Sequence, residues 1–518
     1  MTTLVHRHEV DAAGATAWLG PRRAVVVERV VAHDEYHAEF AADDGPFHAW
    51  SRVVDLTVAP DGRVIVDEHI TYSLAVPLWG ALFRPALRHH LRRAPDADGR
   101  TPWWAPPATL DARAATVLSL LCAFAAVGGY LGTLITQMLT YAAGEFDASK
   151  GEQGVLLAVV RVGVLLSLVV VALADRRGRR TMLVFAIVGS CLFTALGALA
   201  PGMVWLGGAQ TFARALSTVI ALLVAIIAVE EMPAGSRAFA VSVLTMAAAL
   251  GAGVCVANLL YVDLAPWAWR VAFVVPLLAL WPSLRLARDL PETRRFESSR
   301  PLEAPPTGLD ARRADPVHPR PRIDRRRFAL LSIAGFLWSF FLSPAAQFLN
   351  EFLRTERGFS GATIAIFVLV TNTPGGIGIV TGGRLADRRG RRVIGAIGIA
   401  GGVVFTVVSY LSWGWPLWLA SIVASVIGAI AVPALAVYGP ELFPTSVRGR
   451  ANGGLQVVGV AGSSAGLLLT GWLSDRLGGL GPAMAWIAIA PAILVILVLV
   501  LFPETANREL EELNPDDA

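Results

Sequence analysis

The sequence predicts an all-α membrane protein: twelve transmembrane helices in two six-helix pseudo-repeats, preceded by a small N-terminal α+β cytoplasmic module. Three observations carry that expectation. The octapeptide Leu-Ala-Asp-Arg-Arg-Gly-Arg-Arg stands at 173–180 and returns 212 residues later at 385–392, each time directly after a long apolar run. Glu230-x-x-Pro233-x-x-x-Arg237 returns as Glu441-x-x-Pro444-x-x-x-Arg448, and Pro291-Glu292-Thr293 as Pro503-Glu504-Thr505, at nearly the same spacing. The chain is also oily: of 518 residues, 55% are hydrophobic and only 16% charged, against roughly 25% charged in soluble domains. Two similar halves in an apolar chain are the pattern of carriers that rock about a central site.

Twelve apolar runs approach the roughly 20 residues that a spanning helix needs. They lie near 114–136, 153–173, 181–200, 204–229, 238–260, 268–286, 328–348, 362–382, 393–412, 416–437, 452–473 and 482–502. None alternates apolar with polar as barrel strands do, and backbone left unpaired in lipid is too costly, so the runs must be helices. The loops after the even-numbered helices hold Arg176–Arg180, Arg237, an Arg cluster within 294–327, Arg388–Arg392 and Arg448–Arg450, while the opposite loops hold only Lys150, Arg354, Arg357 and Arg476, apart from Arg270 at a helix mouth. Arg-rich loops stay inside. That orientation predicts a multi-pass protein of the cell membrane with both termini cytoplasmic.

The expected divisions are a module over 1–110, a first bundle over 112–286, a cytoplasmic linker over 287–327, a second bundle over 328–502 and a tail over 503–518. In the module, 23–31, 47–58 and 63–73 are rich in Val and Ile and separated by Asp-Gly pairs at 44–45 and 61–62, which are hairpin signals. Residues 75–93 read as an amphipathic helix bent at Pro85, its Arg84, Arg88, Arg92 and Arg93 suited to an anionic leaflet. Trp103 and Trp104 precede the first span, where an aromatic belt belongs. The linker is rich in Pro and Arg, which predicts an extended spacer. Cys122, Cys191 and Cys255 fall inside apolar runs and imply no disulfide framework.

The residues of the loops also resemble a known family. Gly383-Arg-Leu-Ala-Asp387-Arg-Arg-Gly390-Arg391-Arg392 is similar to the loop motif of the major facilitator superfamily. Pro440-Glu441-Leu-Phe-Pro444-Thr445-Ser-Val-Arg448-Gly449 and Pro503-Glu504-Thr505 resemble motifs of its sugar-porter and metabolite:proton symporter branch. The likeness covers about 112–515. It implies alternating access, proton coupling, and a cytoplasmic gate in which Asp175, Arg179, Asp387 and Arg391 pair with Glu230, Arg237, Glu441 and Arg448. Where sugar porters carry an acid after Gly-Tyr in the first helix, Leu131 follows Gly129-Tyr130.

Charge inside the bilayer marks function by default. Two arginines lie deep, Arg161 in the second run and Arg214 in the fourth, and no Asp or Glu lies deep in any run; Glu145 and Glu351 come nearest, toward the outer ends. Two readings stay open: the arginines draw an anionic solute, or they bond helix carbonyls, Glu145 or Glu351 and hold helices together. The neutral candidates for substrate contact are Tyr130, Asn258, Gln347, Asn350, Asn372 and Gln456, with interhelical bonding as the plainer role for each. No catalytic set, metal site or cofactor motif is evident, and no phosphate-binding loop that would make transport ATP-driven. The expected function is secondary active transport of a small polar metabolite, an organic anion or sugar-like solute, by a monomer partnered by lipid and protons and not by nucleic acid. A drug or metabolite efflux antiporter and a non-transporting sensor that uses the module are the alternatives.

Overall fold

The computed structural model describes residues 1–60, 63–95, 101–102, 104–293, 324–436, 438, 442–443 and 445–504, apart from some helix side chains, among them Asp175, Asp387 and Arg448. Twelve helices among these residues are long and apolar enough to cross a membrane: Ala112–Glu145, Lys150–Val171, Arg179–Ala198, Met203–Glu231, Phe239–Leu264, Trp269–Asp289, Arg325–Glu356, Gly361–Ile379, Arg391–Leu411, Gly414–Leu435, Ala451–Leu477 and Leu480–Leu501. They are spans 1 to 12 below. Their starts carry the expected caps. Asp111 accepts from the Ala114 N–H at 2.6 Å, Ser149 and Glu152 form a reciprocal capping box, and Ser360 accepts from Thr363.

Several spans are interrupted where polar residues sit. Span 2 breaks after Gly163 and resumes at Leu166, one turn past Arg161. Span 8 breaks at Thr373–Pro374, directly after Asn372. Span 7 loses regular α geometry after Gln347 and ends in a π-helical stretch, Phe352–Glu356. Such irregular turns concentrate at functional sites. Spans 1 and 5 cross where Gly129 faces the Ala248 backbone and Gly251 faces the Ala126 backbone; a side chain at either glycine would collide with main chain.

The two halves are latched at the end away from the Arg-rich loops. Lys150 Nζ meets Glu356 Oε1 at 2.6 Å. The Gly151 N–H donates to Asp475 at 2.8 Å, and Arg354 pairs with Asp263 at 2.6 Å. Below the latch, Ser464 of span 11 reaches the Ala158 carbonyl of span 2.

The N-terminal module is a five-stranded antiparallel sheet in the order β1-β5-β4-β3-β2. Its elements are β1 (Thr2–Val10), α1 (Ala12–Trp18), β2 (Val27–His33), β3 (His37–Asp44), β4 (Phe47–Val58), β5 (Val64–Leu74) and α2 (Gly80–Leu91). The Asp44-Gly45 turn joins β3 to β4 as its hairpin signal predicts; the Asp61-Gly62 pair lies outside the described residues. The run at 23–31 becomes β2 only from Val27, because Arg22 and Glu28 are drawn inside. β1 and β3 were not legible in the sequence. The module's core holds charge: Arg52, fully buried, pairs with Glu28 at 2.8 Å and Glu68 at 3.4 Å, and Arg22 pairs with Glu68 at 3.1 Å. Pro85 lies within α2, which spans Gly80–Leu91 and not 75–93. Trp79 and Ser119 bind α2's leading turn to span 1, through Trp79 Nε1 to the Ser119 carbonyl at 3.0 Å and Ser119 Oγ to the Pro77 carbonyl.

The linker corrects in extent. Span 6 continues to Asp289, and Glu292 and the buried Thr293 are docked on the first bundle, because that glutamate satisfies backbone donors there. Span 7 starts at Arg325, before 328. The rest of the linker, Trp103 and most of the 503–518 tail lie outside the described residues.

Candidate functional site

Arg161 and Arg214 stand on spans 2 and 4, near enough for their charges to repel. Among the described residues neither meets a carboxylate. With the amide of Gln347 oriented to accept, its Oε1 lies 3.0 Å from both Nη2 and Nε of Arg161, a bridge from the first half to the second. Arg214 Nη1 donates to the Gly132 carbonyl of span 1. A guanidinium has five donors, so a single carbonyl leaves Arg214 with capacity for a ligand. Arg161 ends the first segment of span 2, where the helix dipole favours a cation. Of the acids nearest in sequence, Glu145 pairs instead with Arg270 at 2.7 Å. Glu351 is buried at the latch, beside Thr140, Gln153 and Thr355.

The neutral candidates divide. Asn350 of span 7 donates to Gln137 Oε1 of span 1 at 2.8 Å, one turn above Gln347. Asn350, Gln347 and Arg161 therefore share the contact between the halves, and Arg214 stands near Arg161 on the first half. Tyr130 and Asn258 are brought together elsewhere: Asn258 Nδ2 donates to the Tyr130 hydroxyl at 2.9 Å, Tyr130 donates to the Ala272 carbonyl at 2.7 Å, and Tyr261 donates to Asn258 at 2.7 Å. That set ties spans 1, 5 and 6 within one half and uses most of its own bonding capacity. Asn372 and Gln456 are exposed and join neither group.

At the Arg-rich end, Arg179 pairs with Glu230 at 3.3 Å, within the first half. Arg237 donates to the Met232 carbonyl. Arg113, which the sequence reading passed over, pairs with Glu231 at 3.1 Å. Glu441 and the side chains of Asp175, Asp387 and Arg448 lie outside the described residues. The repeated Pro-Glu-Thr acquires a role that its spacing did not show. Glu292 accepts from the backbone N–H of Arg179 at 3.0 Å and of Arg180 at 3.2 Å; Glu504 accepts from Arg391 at 2.9 Å and Arg392 at 3.3 Å. Each glutamate caps the span that follows the Arg-rich loop, where unpaired N–H groups and the dipole favour an anion. Gly178 and Gly390 turn these two loops at the same left-handed φ of 96°.

Comparison with known proteins agrees with the fold. The Major Facilitator Superfamily model matches residues 116–373 and 331–516. The cis,cis-muconate transport protein of Acinetobacter baylyi is 26% identical over 347 residues, which is 66% of this chain and 83% of that protein. The probable 4-methylmuconolactone transporter of Cupriavidus pinatubonensis is 28% identical over 362 residues, 67% of this chain and 80% of its own. Among solved structures, the inward open xylose transporter XylE from E. coli aligns over 78% of this chain and 99% of its own with a TM-score of 0.61 and 16% identity. The nucleoside transporter NupG aligns over 75% of this chain and 100% of its own with a TM-score of 0.60 and 10% identity. The chain belongs to the major facilitator superfamily and is a multi-pass membrane transport protein, not an enzyme.

Proposed function

We propose that the protein carries a small organic anion, a mono- or dicarboxylate, by alternating access between its two bundles. The observation that carries this reading is the pair Arg161 and Arg214: two intramembrane guanidiniums whose described partners are a neutral amide and a carbonyl. Charge left uncompensated in a low-dielectric site is costly, and a carboxylate arriving there would relieve the cost with charge-assisted bonds. Two relatives are named for the transport of cis,cis-muconate and of 4-methylmuconolactone, and the first of these solutes is such an anion. The latch at the Arg-poor end, with the described ion pairs Arg179–Glu230 and Arg113–Glu231 at the Arg-rich end both lying within the first half, supports a carrier open toward the Arg-rich side. On this reading that side is cytoplasmic, the protein sits in the cell membrane as a monomer with both termini inside, and inward movement is coupled to protons.

Reconstituted vesicles loaded with and without an imposed pH gradient test this directly. Uptake of labelled cis,cis-muconate is expected, and it should be inhibited by other small carboxylates. Arg214→Gln should lower apparent affinity about 10- to 150-fold, the equivalent of one charged hydrogen bond. Unchanged uptake by a folded Arg214→Gln protein overturns the anion site. Uptake indifferent to the pH gradient overturns only proton coupling.

A further inference from the structure

An apolar cavity of about 400 Å³ lies between the N-terminal module and spans 1 and 5. Leu82, Phe83 and Leu87 of α2 form one wall, and Leu118 and Cys122 of span 1 with Met246 of span 5 form the other. The part of that wall on span 5 is a stripe: Phe239, Val243, Met246 and Leu250 recur at helical spacing. Met246 and Leu250 are 72% and 55% exposed, and across the gap Leu82 is 70% exposed. Apolar surface left open on a membrane span is bathed by acyl chains, not water.

Charge completes the site. Leu82, Phe83 and Leu87 alternate along α2 with Arg84 and Arg88, both exposed. Two further exposed arginines, Arg92 and Arg93, follow just past the helix end. Span 1 begins at Ala112 on the Arg-rich side, and Cys122 lies about 15 Å further along it at 1.5 Å per residue. The cavity therefore runs from the membrane surface, where a phosphate would lie, into the hydrocarbon.

We propose that this cavity is a binding site for one anionic glycerophospholipid. An acyl chain fills the space between α2 and the stripe on span 5, and the phosphate lies on Arg84 and Arg88. The lipid becomes part of the joint that attaches the module to the first bundle. Among the described residues the module is hydrogen-bonded there by the Trp79 and Ser119 strap, the Thr116 bond to the Ala75 carbonyl, and the Ala108 contacts with Ser236, beside apolar packing of Ala75, Val76 and Trp79 on the first bundle.

Full-length protein in vesicles of phosphatidylcholine with phosphatidylglycerol tests it. The tracer is phosphatidylglycerol with a photoreactive diazirine in the acyl tail. Crosslinks should concentrate on residues 79–91 and 239–250, ahead of other lipid-facing spans. Unlabelled phosphatidylglycerol should compete better than phosphatidylcholine. Each of Arg84→Gln and Arg88→Gln should lower labelling about fivefold, from roughly 1 kcal/mol per basic residue at an anionic surface, while phosphatidylcholine tracer is unaffected. Ala247→Phe, which narrows the cavity without touching the charges, should lower labelling by either tracer. Labelling spread evenly over all spans, or labelling at these sites that ignores head-group charge and both arginine changes, overturns the proposal.

Discussion

Arg161 of span 2 and Gln347 of span 7 join the two halves of the transporter through a shared amide oxygen, 3.0 Å from two guanidinium nitrogens. The contact holds a cation with a neutral partner. A carrier needs such a contact to break in each cycle, and a neutral acceptor gives a weaker bond than a carboxylate would. It also leaves the positive charge available to a solute.

Gln347→Glu should therefore do two harmful things at once. It would neutralise Arg161 and replace a breakable bond between the halves by an ion pair shielded from water. Uptake is expected to fall at least about tenfold, a change of roughly 1.4 kcal/mol. Gln347→Leu, which frees Arg161, should retain more activity than Gln347→Glu. Vesicle uptake of a carboxylate by the two variants checks the order; the reverse order removes the bridge from the transport cycle.

The latch at the other end predicts a graded effect. Lys150 and Glu356 are each about one-fifth exposed along their side chains, so the pair should contribute about 0.2–1 kcal/mol. Lys150→Gln should shift the balance toward the open latch by up to about fivefold. A cysteine introduced at the buried Thr140, in a background without the native cysteines, should react faster with an impermeant maleimide in that variant. An equal rate in both would mean that Asp263 and Asp475 alone hold the latch.

The spans were legible because hydrocarbon imposes a length and a composition on any helix that crosses it. Arg161 and Arg214 were legible for the same reason, as charges where charge is costly. What those charges touch was not, since Gln347 lies 186 positions from Arg161 and meets it only through the docking of two bundles. The repeated glutamates 292 and 504 were visible as landmarks, yet their caps form across more than a hundred residues of chain. In the module, β3 was hidden because Ala, Asp and Glu fill it in place of branched apolar residues, and β1 because His6, Arg7, His8 and Glu9 interrupt its Thr and Val. Arg52 shares the inward face of β4 with Trp50 and Val54, and its charge is tolerated there because Glu28, Glu68 and two carbonyls receive it.

Acid should loosen the module. Burial holds the His8 imidazole below its usual range, against the opposite pull of Glu68, while its ring stacks on Trp18 at 4.4 Å. The unfolded chain then takes up a proton first as pH falls below about 6.5. His8 therefore contributes stability that is present above that pH and is lost as pH drops toward the folded value. His37, raised by its hydrogen bond to Asp55, has the opposite sign, but it is exposed and its effect should be screened. Amide exchange in β1 and β5, corrected for intrinsic rates, should quicken on mild acidification in the native chain and respond less in His8→Gln. Exchange that does not respond to pH in this window would remove His8 as the cause.

Two glycines near each other in span 5 should behave differently under the same substitution. A side chain at Gly251 would run into the Ala126 backbone of span 1, whereas one at Gly253 would meet nothing within 4 Å. Gly251→Leu should force spans 1 and 5 apart, at a cost of about 1–3 kcal/mol for overpacking a close contact. The strain would reach the Tyr130–Asn258 hydrogen bond, which lies beyond the crossing on the same two spans. Gly253→Leu should be nearly silent, since it adds a side chain facing open space. Thermal unfolding of the purified variants separates the two cases. Equal destabilisation by both would mean that helix propensity, and not close approach, sets the requirement for glycine here.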